Sequence, residues 1–389
     1  MCAALAFVGC DEDEVAKKYQ VTVNVSCETA SIADMSNLAA TAVGDNGSEI
    51  AGTVQDSTIT FNLAAGAYNV TVTAQDDFYN YAGSAKITVA DKDLDGITIT
   101  LGQSKPAGTI IFKEIYTTGV QDYYWTDGFY ELVNNSDEIQ YLDGIILGIV
   151  TSGYGDVSSW ADSLGNLPDY YPMTNSTVYF PGTGTDYPLM PGQSVVCATR
   201  PLNHAARELT EADTQSPVDL STADWDIYIP QSEQDTDVPN IPNMLVAYRI
   251  FGFDFMPATA GQSLILAKLP AGQTVEDFVA DPENIKKPAY TAALCIPSDY
   301  VIDAVEILYY NKDLAINKVI LDKDDAGYTY YSGSEGEWTD PTYTGRSLRR
   351  KCTKVENGRA YFADTNNSSN DFILGGQTAV VRRQFTEAD

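Results

Sequence analysis

The chain has 389 residues and carries 23 Lys and Arg against 54 Asp and Glu, a formal net charge of −31. A field of that sign repels nucleic acid and anionic headgroups, so no nucleic-acid partner is expected, and cations or neutral ligands are the easier partners. The length suits two domains, and a hydrophobic share of 44% supports a core and argues against wholesale disorder.

The first nine residues, MCAALAFVG, form a short apolar run ending in small residues, followed by Cys10 and the acidic run Asp11, Glu12, Asp13 and Glu14. The run is far shorter than the roughly 20 residues of a membrane span. It resembles the end of a bacterial lipoprotein signal, in which Cys10 becomes the lipid-bearing residue. Two departures stand out: no Lys or Arg precedes the run, and Phe7 stands where Leu is usual. The acidic run after Cys10 resembles the surface-export signal of Bacteroidetes lipoproteins. The resemblance implies lipidation at Cys10, an outer-membrane partner through the lipid anchor, and exposure at the cell surface. Each buried methylene of an acyl chain contributes about 0.8 kcal/mol to anchoring.

Residues 19–27 (YQVTVNVSC) alternate with period two and predict a strand with one buried face. Residues 58–63 (TITFNL), 68–73 (YNVTVT), 85–89 and 96–101 continue the pattern, and predict a small β-sandwich over 19–103. The stretch LAAGAYNVTVTA resembles carboxypeptidase-regulatory-like modules of immunoglobulin type. Between these strands, Asp91, Asp93 and Asp95 have the D-x-D-x-D-G spacing that opens an oxygen-rich calcium loop. The twelfth position is Gly102, not Glu, so this is no EF-hand. The competing reading is a surface turn, with structural calcium as the lesser expectation.

Residues 102–108 (GQSKPAG) read as a linker. Beyond it come GTIIFKEIY (108–116), FYELVNN (129–135), QYLDGII (140–146), LMPGQSVVCA (189–198), SLILA (263–267), YVIDAVEI (300–307), SLRR (347–350) and DTNNSSNDF (364–372). Their order resembles a lamin-tail-type immunoglobulin-like sandwich. With the acidic lipoprotein front, the whole chain resembles a Bacteroidetes surface lipoprotein family known as domain of unknown function 4876. The implied fold is all-β: two immunoglobulin-like β-sandwich domains, the second (108–389) enlarged by insertions at 152–188 and 200–257. Both insertions are rich in Tyr, Trp, Pro and Asp and poor in strand alternation, so they are expected to be functional loops.

Candidate chemistry is sparse. One histidine, His204, is present, and no nucleophile elbow, zinc-protease, P-loop or dinucleotide motif accompanies it. Glu114 and Glu131 sit on two strands and could meet across a sheet as a glycosidase pair requires. Chance pairing is the default among so many acids. Arg346, Arg349, Arg350 and Lys351 form a basic cluster expected to pair with local acids. Cys27, Cys197, Cys295 and Cys352 lack metal-ligand spacing, and either one disulfide or free buried thiols fit them. The aromatic residues Trp125, Trp160, Tyr170, Tyr171, Trp225 and Tyr228 offer large rigid surfaces of the kind that stack on sugars or anchor proteins, and packing of the insertions is the competing use. The leading expectation is a non-enzymatic surface lipoprotein acting as a binding or accessory subunit of an envelope or transport complex. The alternatives are a glycan-binding lipoprotein using its aromatic loops and a hydrolase of unrecognised type.

Overall fold

The computed structural model describes residues 17–45, 47–76, 79–104, 108–120, 124–150, 161–162, 165–211, 213–250, 254–258, 261–287, 291–311, 318–334 and 337–389. Cys10 and Trp160 lie outside the described residues. The chain is all-β, with strands in every region and two short α-helices among the described residues. It divides into two compact units, 1–106 and 107–389.

Among the described residues, the first unit holds eight strands: β1 (Lys18–Cys27), β2 (Ser36–Gly44), β3 (Glu49–Ala51), β4 (Thr53–Gln55), β5 (Thr58–Ala64), β6 (Gly66–Gln75), β7 (Asn80–Val89) and β8 (Leu94–Ser104). One half runs β4-β5-β1-β8 and the other β3-β2-β6-β7. β8 joins them, pairing in parallel with β1 along Leu94 to Leu101 and then antiparallel with β7 through Gly102 to Ser104. Period-two alternation is visible directly: β1 buries Val21, Val23 and Val25, and β6 buries Tyr68, Val70, Val72 and Ala74. These meet Phe61, Leu63 and Ile99 in one core.

The D-x-D-x-D-G segment is an exposed turn opening β8. Asp91, Asp93 and Asp95 are all exposed, and Asp93 Oδ1 accepts from the Gln20 amide at 2.9 Å. Gly96 supplies the left-handed backbone at φ +80°. Among the described residues no three acidic, His or Cys side chains converge on a common metal position. Cys27, Cys197, Cys295 and Cys352 are free thiols, three of them buried.

Among the described residues, the main strands of the second unit's two large sheets are β9 (Ile110–Tyr116), β10 (Phe129–Asn134), β11 (Ile146–Val150), β12 (Tyr170–Tyr179), β13 (Ser194–Ala198), β14 (Leu245–Arg249), β15 (Leu264–Ala267), β16 (Ala293–Pro297), β17 (Val301–Val305) and β18 (Arg346–Arg349). One sheet runs β13-β10-β9-β18, edged by the two-residue strands Trp225–Asp226 and Gln377–Thr378. The other runs β16-β12-β11-β15-β17, with Ile285–Lys286 beyond β16 and β14 also on β12. The main core lies between them, where Phe112, Tyr130 and Leu132 meet Leu147, Ile149, Val178, Leu264 and Val305.

Both outer faces are covered as well. Helix α1 (Val275–Ala280) places Val275 and Phe278 on the back of the second sheet, and Val218, Leu220 and Ala223 cover part of the first. Strands buried on two faces read as continuous apolar runs, and β9, β10 and β11 are buried at every position. The expectation of loop throughout 152–188 is overturned here, because β12 is a ten-residue strand within that range, paired with β11, β14 and β16. Pro172 and the polar run Thr174 to Thr177 disguise it in sequence. Two buried faces remove the alternation, and a bulge at Asn175 (φ +53°) interrupts its pairing with β11.

One ionic joint ties the two sheets. Arg350, 1% exposed and just past β18, donates through Nη2 to both carboxylate oxygens of Asp303 in β17, at 2.9 and 2.8 Å. Its Nε donates to the Phe112 carbonyl in β9 at 2.7 Å, and the Phe112 amide donates back to Asp303 at 2.7 Å. Asp364 and Asp371 stand 3.3 and 3.6 Å from Nη1. Two members of the basic cluster thus pair with acids, since Arg349 clasps Asp389, whereas Arg346 and Lys351 donate to the Gly376 and Asn370 carbonyls. Asn367 and Asp371 hold the turn of the 364–372 motif, as expected of such residues.

Removing one member of a buried ion pair leaves the other uncompensated. Arg350→Met is therefore expected to lose about 3–5 kcal/mol of unfolding free energy, read as a fall in the denaturant midpoint of the whole chain.

Glu306, fully buried, accepts from the amides of Val319 and Ile320 and from Ser263 Oγ, yet burial pushes its carboxyl up to about 7. The folded state then holds a proton that the unfolded chain releases near pH 4.5. The group's contribution is complete below that ordinary value and is lost as pH rises through 7. Glu306→Gln should gain less stability than the unsubstituted chain on acidification from pH 8 to 5, measured by thermal unfolding at both ends.

Candidate functional site

The second unit contains an open pocket of about 410 Å³ at one end of its sandwich, where loops of both sheets meet. Thr117, Thr118 and Trp125 come from the segment after β9, and Thr342 and Tyr343 from the turn before β18. The second sheet supplies Asn175 at the β12 bulge and Gln262 ahead of β15, with Met256 to Ala258 between. Trp125 stacks on Tyr343, ring centroids 6.0 Å apart and 21° from parallel.

The backbone that carries these rings is tightly zipped. The Tyr343 amide donates to the Thr118 carbonyl at 2.9 Å, and Gly345 to that of Gly119 at 2.7 Å. The Thr118 hydroxyl donates to the Arg346 carbonyl and accepts from the Arg346 amide. The residues flanking Trp125 are fastened independently. Tyr124 donates its hydroxyl to His204 Nδ1 and lies 4.0 Å beneath the Arg207 guanidinium. His204 Nε2 donates to the Arg200 carbonyl at 2.8 Å, so both ring nitrogens are committed to positioning. Burial lowers the imidazole's affinity for a proton, in keeping with a neutral ring. On the other side, Asp127 is buried and accepts at Oδ2 from Tyr116 (2.8 Å) and Ser216 (2.6 Å), and burial raises its pKa.

Two lining residues, Asn175 (φ +53°) and Tyr343 (φ +61°), occupy the left-handed region. A bulky residue there costs on the order of 1–3 kcal/mol and persists only where its surroundings enforce it, a feature concentrated at ligand sites. Asn175 Nδ2 also donates to the Met256 carbonyl at 3.1 Å, and Gln262 Oε1 accepts from the Ala258 amide. Aromatic faces and amides on one concave surface are the groups a polar ring with an apolar face requires.

The other aromatic candidates separate by burial. Trp225 is a core residue, 3% exposed and packed edge-on against Phe180 and Tyr187. Tyr171 is 1% exposed, donates to Asp324 and accepts from the Leu321 amide. Packing, not ligand contact, accounts for both. Tyr170 is half-buried under the Lys286 ammonium, 4.2 Å from its ring, and Tyr228 is half-buried away from the pocket lining.

Glu114 and Glu131 do face each other as register partners. Both are fully buried, however, and each is consumed by structure. Glu114 accepts from Ser347, Val380 and Arg383, and Glu131 from Lys113, Ser194 and Arg382. Tyr343, Asn175 and Gln262 were not foreseen. Nothing in the sequence links the segment from Pro341 to Gly345 to Trp125.

A family described as protein of unknown function (DUF4876) matches residues 190–378, a span that contains His204, Gln262, Tyr343 and Arg350 but stops short of Trp125 and Asn175. The crystal structure of a DUF4876 family protein from Bacteroides thetaiotaomicron VPI-5482 is similar over 94% of this chain and 97% of that one, at 27% identity and a TM-score of 0.57. A proposed cell adhesion protein from Parabacteroides distasonis ATCC 8503 aligns over 67% of this chain and 80% of its own at 12% identity. Its TM-score is 0.20. No curated protein matches the chain.

Gly119 sits at φ +63°, and a Cβ there would stand 2.3 Å from the Tyr124 carbonyl oxygen. Gly119→Ala is expected to cost about 1–3 kcal/mol and to displace Trp125, read as a lower melting temperature with a shifted tryptophan emission.

Proposed function

We propose that this protein is a non-enzymatic surface lipoprotein, anchored in the outer membrane through Cys10, whose second unit binds a saccharide in the Trp125–Tyr343 pocket. The observation that carries the reading is the stacked Trp125–Tyr343 pair on the wall of a 410 Å³ pocket that also presents Asn175, Gln262 and Thr342. An aromatic ring receives the apolar face of a sugar, and the amides meet its hydroxyls. The net charge of −31 favours a neutral ligand over a strongly anionic polymer.

Two features support a binding role over a catalytic one. His204 has both nitrogens engaged by Tyr124 and Arg200, and the Glu114–Glu131 pair is buried beneath Val380, Arg382 and Arg383. The lipoprotein and surface assignment rests on the Cys10 context and its acidic run, and the similarity to a Bacteroides protein is in keeping with it. The two β-sandwich units suit the finer resemblances to carboxypeptidase-regulatory-like and lamin-tail-like modules. In this reading the protein serves as a binding subunit beside an envelope or transport complex.

Titration of the full chain against a panel of neutral oligosaccharides tests the proposal. Saturable binding is expected, and Trp125→Ala should weaken it about tenfold or more. Absence of saturable binding across the panel, or unchanged affinity in Trp125→Ala, would count against it. A pull-down from native outer membranes should recover the protein with its membrane partner.

A further inference from the structure

We propose that the second unit carries a separate anion-binding pocket, formed by Lys113, Arg359 and Arg383, that takes a ligand bearing a carboxylate, sulfate or phosphate group. The pocket encloses about 390 Å³ on the far face of the first sheet. Three of the chain's 23 basic residues line it, and no Asp or Glu does. In a protein with 54 acidic residues, a concave wall of one sign is not the default arrangement.

The three cations are held from behind. A bulge in β9 lets β10 pair Glu131 with Glu114 and Leu132 with Phe112, passing over Lys113, so Lys113 and Glu114 both serve the same face. Lys113 Nζ donates to Glu131 Oε1 at 2.7 Å and to the Arg383 carbonyl at 2.9 Å, which leaves one ammonium proton uncommitted. Arg383 donates to Glu114 through Nε and Nη2, and its Nη1 makes no hydrogen bond among the described residues. Arg359 spends Nη1 on Asp137, which is 82% exposed at its side chain, and Nη2 on the carbonyls of Asn135 and Ser136. Its stem lies against Gly192, where a Cβ would come within 2.8 Å of Cγ. The partner carboxylates thus orient the cations without lining the cavity, and two of the cations keep donors for a ligand oxygen. Guanidinium groups suit planar or tetrahedral oxyanions because they present donors in a fixed fork.

The remaining wall mixes the polar side chains of Gln193, Ser194, Asn357 and Gln384 with an apolar patch at Val133, Phe362 and Phe385. Phe385 meets Phe362 edge to face at 5.4 Å, and both rings lie 5.9 Å from the Lys113 ammonium. The site therefore fits an anionic group carried on a small organic body, at a place that shares no residue with the Trp125 pocket.

The test is titration of the full chain with inorganic phosphate, sulfate and glucuronate separately, at constant ionic strength set with chloride, followed by calorimetry and thermal shift. Saturable heat and a rise in melting temperature with at least one probe are expected. Response to the inorganic ions identifies the anionic group as sufficient, and response to glucuronate alone identifies the carboxylate with its ring as the ligand form. Arg359→Gln and Gln384→Glu both alter the rim without breaking a buried ion pair. Each is expected to weaken phosphate or sulfate binding about tenfold, while Trp125→Ala leaves that binding unchanged. No response beyond the chloride control from any probe, or full binding in both rim variants, overturns the proposal.

Discussion

The Arg350 guanidinium is the constraint around which the second unit is organised. It reaches the Asp303 carboxylate in one sheet and the Phe112 carbonyl in the other, and Asp303 in turn accepts from the Phe112 amide. The two sheets are therefore fixed in register by a closed ring of charge-assisted hydrogen bonds, which apolar packing alone does not impose. Burying charge is costly, and three carboxylates around one cation leave an excess of negative charge. Burial accordingly raises Asp303 to about 7 and moves Asp364 in the same direction.

Everything at the sandwich end depends on that register. Thr117 and Thr118 extend from the strand that Arg350 holds, and Tyr343 precedes the strand that leads into Arg350. Asn175 and Gln262 belong to the opposite sheet. A slip of one residue between sheets would separate the amides from the aromatic pair. The long insertion after β13 then acts as a buttress, with His204, Arg207 and Ser216 fastening the residues on either side of Trp125. A lone histidine in a loop invites a catalytic reading, and here its two hydrogen bonds explain it without one.

Legibility in the sequence follows burial. In the first unit one face of each strand meets solvent, so Val21, Val23 and Val25 alternate with polar residues and the strand is plain. In the second unit both faces of each sheet are covered, the period vanishes, and β12 hides behind Pro172 and Asn175. The same covering layer explains the aromatic residues. Tyr171 and Trp225 resemble exposed platforms by composition, yet they seal the sheets, whereas Trp125 lines a pocket. Tyr343 and Asn175 could not be read at all, because their role arises from left-handed backbone geometry and from contacts between segments 50 or more residues apart in the chain.

Hydrogen exchange of the full chain, with and without a saturating neutral oligosaccharide, addresses the central claim most directly. The account predicts added protection in amides of residues 124–128 and 342–345, with the first unit and the strands of the second unchanged. Protection confined to other segments, or none under saturating conditions, would contradict the assignment of the Trp125–Tyr343 pocket as the binding site.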